Sequence, residues 1–306
     1  MVEYLLVDLI SECNLRCIFC PYHSPLVRPP KPSFFPFPQL SELIKMMSQL
    51  GIKTIGLSGR GEPTLYPNLF PVVQMAKSLG LEVELFSNAS IDIDWRAISQ
   101  IVDRIYITLT GTGRRYQDFH GRPLWEKVRD NIMCIRDVTE NLEINFVLSP
   151  FTVRGLLDVV EYFANCGIYV HISVARPISS NEGETFSIQA LEKLRAFLFR
   201  LCLRDRRVVK MTNIGDLLQI LPYMFSPPNK CPNLGKGLVV DPFLCISVCS
   251  RQMWAGNFLS AADLKELRCM LIENRLSLIK VPTDVCAFCN EASLAYNEVK
   301  VNPTLY

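Results

Sequence analysis

The sequence predicts an α/β fold built on a parallel sheet, followed by a smaller cysteine-rich unit, and three observations carry that expectation. Six strand-like runs alternate with helix-like runs over residues 4–175, an order that implies right-handed crossovers and parallel pairing. Of 306 residues, 49% are hydrophobic and 20% charged, enough apolar material for a sizeable core. Most of the twelve cysteines fall into two ordered groups, one directly after the first strand and one in the last quarter of the chain.

Residues 4–10 are apolar with little interruption, the pattern of a strand buried on both faces. Residues 24–38 carry Pro25, Pro29, Pro30, Pro32, Pro36 and Pro38 and read as an extended loop. A helix is expected over 39–50, stopped by Gly51. Strands follow at 54–58, 82–87, 104–110, 143–149 and 169–175, with helices at 69–79, 93–101, 125–138 and 152–165. His120 falls in what reads as a loop after the fourth strand, a structural rather than catalytic histidine. A polar loop at 177–184 ends the first unit, and a basic amphipathic helix is expected at 188–204, a solvated face by default. The expected division is 1–185 for the strand-and-helix unit, 186–230 for a bridging helical segment and 231–306 for the cysteine-rich unit.

Cys13, Cys17 and Cys20 are spaced C-x₃-C-x₂-C. That spacing can bring three thiolates to three irons of one cubane, which would leave the fourth iron open for chemistry. A zinc site completed by His23 is the alternative, since structural zinc takes four closed ligands. After the second strand comes Gly59-Arg60-Gly61-Glu62-Pro63. Glycines there allow a backbone to approach a ligand closely, and Glu62 offers charge-assisted hydrogen bonds to an ammonium.

At these residues the chain resembles the radical S-adenosylmethionine (radical SAM) superfamily, whose signature is C-x₃-C-x-aromatic-C, with Phe19 in the aromatic position. The resemblance implies a partial (β/α)₆ TIM-like barrel. It also implies a [4Fe-4S] cluster on Cys13, Cys17 and Cys20 whose open iron chelates S-adenosylmethionine, and cleavage of that cofactor to a 5′-deoxyadenosyl radical. The family's G-G-E-P stretch is met here with Arg60 replacing the second glycine, so Gly61 and Glu62 carry over, and Gly59 beside them is a further candidate for the cofactor. Ser87 and Asn88 stand where the family places ribose contacts. Thr108, Thr110, Asn145, Ser149, His171, Ser173 and Arg176, on or beside later strand ends, are further candidates for cofactor or substrate, above all Thr108 and Asn145. A low-potential electron donor such as flavodoxin or ferredoxin is implied as partner.

From Cys231 onward the sequence resembles the auxiliary-cluster domains of the same superfamily, SPASM and its shortened form, twitch. Residues 240–249 fit the hairpin of that domain, with Phe243-Leu244 in place of its Asp-Gly turn, and Cys286-x-x-Cys289 fits the later pair. The resemblance implies one auxiliary [4Fe-4S] cluster on Cys231, Cys249, Cys286 and Cys289; four thiolates on zinc are the alternative. Cys245 and Cys249 compete for one ligand position, and the one left off iron is a thiol able to donate a hydrogen atom to a substrate radical. Cys134, Cys166, Cys202 and Cys269 lie in apolar helical patterns and read as small core residues.

The expected activity is hydrogen abstraction from a small polar substrate of sugar, aminocyclitol or aminoglycoside type, ending in epimerisation through a cysteine donor or in two-electron oxidation. The chain enters its first strand within four residues, so no N-terminal peptide-recognition domain is expected. Maturation of a ribosomal peptide and a non-enzymatic zinc or iron–sulfur binding module are the alternatives. The net charge of +2 argues against a nucleic-acid binder. No apolar run reaches membrane-spanning length, and no basic signal-peptide region precedes the first strand. Cysteine-rich metal chemistry fits a reducing cytoplasm.

Overall fold

Alternation along the strands separates two faces, and that separation sets the architecture. The computed structural model describes residues 3–149, 151–174, 188–204, 209–220, 237–248 and 258–273. Strands β1 (Tyr4–Asp8), β2 (Thr54–Ser58), β3 (Glu82–Ser87), β4 (Arg104–Thr108), β5 (Leu142–Leu148) and β6 (Tyr169–Val174) pair in parallel, each beside its sequence neighbour. Their helix-facing side chains, among them Leu5, Val7, Leu57, Leu85, Ile107, Phe146 and Ile172, are fully buried. The opposite, concave face is mixed and half-buried, so β1 alternates where its uninterrupted apolar run predicts burial on both faces.

Helices α1 (Phe37–Gln49), α2 (Leu69–Ser78), α3 (Trp95–Ile101), α4 (Gly113–His120), α5 (Trp125–Arg136) and α6 (Leu156–Asn165) return the chain between strands. Each buries one stripe, as α1 does with Leu40, Leu43, Ile44 and Met47. Pro38 lies in the first turn of α1, where its missing N–H breaks no helical bond. α7 (Ile188–Arg204) and α8 (Ile214–Ile220) follow, and Asn213 caps the β6 edge by accepting from Ile172 N–H and donating to its carbonyl.

The sheet does not end at β1. β7 (Gly237–Val240) pairs in parallel with it, and β8 (Cys245–Ser247) and β9 (Leu259–Ser260) continue antiparallel, giving the order β6-β5-β4-β3-β2-β1-β7-β8-β9. Within the range expected for a C-terminal unit, the described strands from Gly237 on thus extend the barrel's own sheet. The turn between β7 and β8 needs no Asp-Gly: Asp241 Oδ1 accepts from Phe243 N–H and Cys245 N–H, and Leu244 takes the left-handed conformation at φ 55°. α9 (Leu264–Ile272) packs on α1, and its Cys269 is exposed, contrary to the core position expected for it; Cys134, Cys166 and Cys202 are half-buried against the core.

The concave face carries charge at its base. Gly56 leaves room for the Tyr4 ring, whose hydroxyl crosses β2 to donate to Glu84 Oε2 at 3.0 Å. Burial raises Glu84 and Glu143 above the ordinary glutamate value of 4.5, opposed at Glu84 by the Tyr4 hydroxyl and then Arg104, and at Glu143 by Arg104. A carboxyl with a raised folded pKa holds its proton longer when folded, so its contribution to stability falls as pH rises from 4.5 through the raised value. Glu84→Gln is therefore expected to raise Tm at pH 8 and to flatten the decline of Tm between pH 5 and 8. Parallel pH profiles of wild type and variant would count against this.

Candidate active site

The loops at the C-terminal ends of β1 and β2 are knitted together by main-chain hydrogen bonds, and side chains tie the loop after β3 to them. Gly61 N–H donates to the Ile10 carbonyl at 2.9 Å and Glu62 N–H to the Glu12 carbonyl at 2.8 Å, so the glycine loop runs alongside the cysteine loop. A Cβ on Gly61 would lie 2.1 Å from the Glu12 carbonyl oxygen, and one on Gly59 (φ 147°) 2.2 Å from Asp8 Oδ1. Close approach of the cysteine-loop backbone imposes Gly61, whereas the Asp8 carboxylate and a positive φ impose Gly59.

Glu62, in the loop after β2, holds the loop after β3. Its Oε1 accepts from Thr64 N–H, Thr64 Oγ1 and Ser87 Oγ, and its Oε2 from Asn88 N–H. Burial raises its carboxyl, opposed by the Ser87 and Thr64 hydroxyls. Four protein donors leave one lone pair of Oε2 with no donor among the described residues. Asn88 Nδ2 donates to Asn14 Oδ1 at 3.1 Å, while its Oδ1 accepts from Ser90. Ser87 and Asn88 thus line the cavity with side chains already tied to neighbouring loops.

Each expected cluster ligand has an N–H donor. Leu15 N–H points at Cys13 Sγ at 3.4 Å, and Tyr22 and His23 N–H at Cys20 Sγ at 3.4 and 3.3 Å. His120 Nδ1 lies 3.2 Å from Cys17 Sγ. Burial raises all three thiols, Cys13 up to about 12, so the thiolates need cationic partners. The His23 ring is directed instead to the Ser11 carbonyl, 2.9 Å from Nε2. A cubane distributes its thiolates over separate irons, so the three cysteines need not converge on one point.

Above these loops lies an open cavity of about 380 Å³. Cys13, Cys17, Phe19, Cys20, Gly59, Gly61, Glu62, Ser87, Asn88, Thr108 and Asn145 all line it, together with Ser173 on β6. Thr110 and Ser149 do other work: Thr110 bonds His120, and Ser149 bonds Thr152 at the entry to α6. Cys245 is outside the lining, its Sγ facing Ser260 Oγ at 3.4 Å across the β8–β9 pair. Cys231, Cys249, Cys286, Cys289 and Arg176 lie outside the described residues.

Two features escape the sequence. Arg60, in place of a family glycine, donates through Nε to Asp8 Oδ2 at 2.6 Å and through Nη2 to Asp241 Oδ2 at 3.4 Å, tying β1, β2 and β7 together. The stretch 113–120 is helical, not a loop: Tyr116, Phe119 and His120 recur at i, i+3 and i+4 and are fully buried, a helical signal masked by the polar residues between them.

Fold and site define an α/β partial-barrel protein that carries a three-cysteine cluster loop beside a glycine-lined cradle. A model of the Radical SAM superfamily matches residues 7–163, just over half the chain and inclusive of both motifs. The chain belongs to the Radical SAM superfamily, enzymes whose cofactors are a [4Fe-4S] cluster and S-adenosylmethionine.

Among curated relatives, a GTP 3',8-cyclase of Nostoc sp. is 29% identical over 233 residues, covering 72% of this chain and 70% of its own. A GTP 3',8-cyclase of Aliarcobacter butzleri is 25% identical, covering 55% of this chain and 54% of its own. Molybdenum cofactor biosynthesis protein 1 of Drosophila melanogaster is 25% identical, covering 60% of this chain and 33% of its own. The chain thus spans a third to about half of the last two relatives. In solved structures, anSMEcpe with bound AdoMet superposes with a TM-score of 0.70 at 16% identity, over 95% of this chain and 88% of that one. Streptococcus suis SuiB bound to S-adenosylmethionine gives 0.65 at 12%, over 92% and 67%. BtrN in complex with AdoMet and 2-DOIA gives 0.52 at 13%, over 96% and 92%. These likenesses show the fold. Among the described residues no helix is long and apolar enough to cross a membrane.

Proposed function

We propose that this chain abstracts hydrogen from a small, polar, non-anionic substrate and completes a two-electron oxidation, with an auxiliary cluster on Cys231, Cys249, Cys286 and Cys289. When bound, the cluster on Cys13, Cys17 and Cys20 and S-adenosylmethionine together supply a hydrogen-abstracting 5′-deoxyadenosyl radical. Gly59 and Gly61 open the backbone cradle for the cofactor, and the spare lone pair on Glu62 faces its ammonium.

The observation that carries the substrate class is the far wall of the cavity. Thr108, Asn145 and Ser173 offer hydroxyls and an amide there, with Ser173 Oγ donating to Asn145 Oδ1 at 2.8 Å. Arg60, the guanidinium among the described lining residues, is already paired with two carboxylates. That wall suits a polyol or aminocyclitol better than a triphosphate, which calls for unpaired cations. Oxidation takes precedence over epimerisation because the Cys245 thiol faces Ser260 rather than the cavity.

A second reading, cyclisation of a nucleotide, draws support from the GTP 3',8-cyclase relatives. Peptide maturation is the third, since SuiB and anSMEcpe have been solved with peptides. The deciding experiment incubates reconstituted enzyme anaerobically with S-adenosylmethionine, dithionite and an aminocyclitol, GTP or a cysteine-bearing peptide, in D₂O. We expect substrate-dependent 5′-deoxyadenosine with the aminocyclitol, an oxidised product without carbon-bound solvent deuterium, and a KM raised about tenfold in Asn145→Ala with cluster content unchanged. Turnover of GTP or of the peptide alone overturns the reading; deuterium in an inverted product restores epimerisation.

A further inference from the structure

The His120 imidazole is the donor to a cluster cysteine that comes from farthest away in the chain, and its protonation pattern is fixed by geometry. Thr110 N–H, which can only donate, lies 3.1 Å from His120 Nε2. Nε2 must therefore accept, and in the neutral ring the proton resides on Nδ1. Nδ1 faces Cys17 Sγ at 3.2 Å, so the contact is an N–H···S hydrogen bond donated to that sulfur. An imidazolium would direct a second N–H against the Thr110 N–H, so the fully buried ring is neutral.

The ring cannot readily swing away. Tyr116, one turn earlier on α4, stacks on it at 4.4 Å and 16°, and Phe19 meets its edge at 5.4 Å. The last turn of α4 also grips the cysteine loop on both sides of Cys17, with Arg16 N–H donating to the His120 carbonyl at 3.2 Å and Ile18 N–H to the Phe119 carbonyl at 2.9 Å. Cys13 and Cys20 take their short N–H donors from the backbone of their own loop, whereas Cys17 takes one from a side chain 103 residues on. Tyr116 Oη is buried with no hydrogen-bond partner among the described residues, a donor left over beside the same site.

We propose that His120, oriented by Thr110, is a positioning residue that sets the reduction potential of the cluster held by Cys17, by donating Nδ1–H to the ligating sulfur. Reduction adds one negative charge to the cluster, and a donor on a thiolate stabilises the more negative state more strongly, so the bond raises the potential. The inference rests on the assignment of Cys17 as a cluster ligand.

The test compares two amide replacements in the reconstituted holoenzyme. The Nδ2 of His120→Asn occupies the place of Nδ1 and keeps a donor to Cys17, whereas the amide of His120→Gln reaches the place of Nε2 and serves Thr110 instead. EPR-monitored redox titration is expected to show a roughly tenfold fall in the one-electron reduction constant in His120→Gln, ~59 mV, with His120→Asn near wild type. Equal potentials in wild type and His120→Gln, at equal iron content, overturn the proposal. If either variant fails to fold, the wild-type holoenzyme with ring-¹⁵N histidine decides: pulsed EPR of the reduced cluster should show a weak ¹⁵N coupling, and its absence overturns the proposal. A wild-type protein that assembles no cluster at all instead overturns the ligand assignment beneath it.

Discussion

Gly61→Ala is expected to abolish stable cluster and cofactor binding, whereas Gly56→Ala leaves both in place. The two glycines have the same shortest clearance, 2.1 Å from an added Cβ to the nearest atom, so distance alone does not separate them. The neighbour does. At Gly61 the obstruction is the backbone of the cysteine loop, Glu12 carbonyl first and Ile10 carbonyl next at 2.6 Å. That backbone gives way only by parting the two loops, breaking the Gly61–Ile10 and Glu62–Glu12 hydrogen bonds. Overpacking costs about 1–3 kcal/mol, and each lost hydrogen bond adds about 1 kcal/mol. The separation falls between the cluster ligands and the cradle, where a shift of an ångström is enough to lose the ligand geometry. At Gly56 the obstruction is the Tyr4 hydroxyl, the free end of a side chain, which moves at the expense of its bond to Glu84. Iron and sulfide per chain after anaerobic reconstitution, with S-adenosylmethionine binding by equilibrium dialysis, separate the two variants. Wild-type iron content and binding in Gly61→Ala would sink the account of the interlocked loops.

What the sequence discloses about this fold and site follows how local each signal is. β3 runs over Glu82–Ser87 as its alternation predicts, and β5 lies one residue earlier than its own, because a period of two is written in neighbouring residues. The cysteine spacing and the glycine loop are equally legible, since each is a single short segment. α4 is hidden because Gly113, Arg114, Arg115, Gln117 and Asp118 obscure a three-residue buried stripe in an eight-residue helix. The apolar run of β1 misleads because its concave side faces an open half-barrel instead of a second packed layer. Nothing local reveals that β7 joins β1, or that Asp8 and Asp241 meet on one guanidinium, since those partners stand 52 and 181 residues from Arg60.

Arg60 offers the sharpest case of sequence resemblance and structure pulling apart. Restoring the family's glycine by Arg60→Gly brings the motif to G-G-E-P, and it is expected to destabilise the protein. Asp8 is 4% exposed and Asp241 6% exposed. Asp241 keeps its bonds from Phe243 N–H and Cys245 N–H, so most of the loss falls on Asp8, which retains the residue-60 N–H at 2.9 Å and forfeits the guanidinium. Removing one partner of a buried pair costs about 3–5 kcal/mol, and the retained N–H places this case toward the lower end. The pH dependence has a definite sign. Burial already raises Asp8 above its ordinary 3.8, with Arg60 as the main opposing influence, and without the guanidinium the carboxyl rises further. Its protonated form is then favoured by folding, so the deficit of the variant is smallest in acid and grows as pH rises from 3.8 through the raised folded value. Adding Asp8→Asn removes the unpaired charge and keeps an oxygen for the residue-60 N–H, so the double variant should recover most of the lost Tm at pH 8. A single variant as stable as wild type at pH 8, or a double variant no better than the single, would show that the Arg60–Asp8 pair contributes nothing to holding β1 and β2 together.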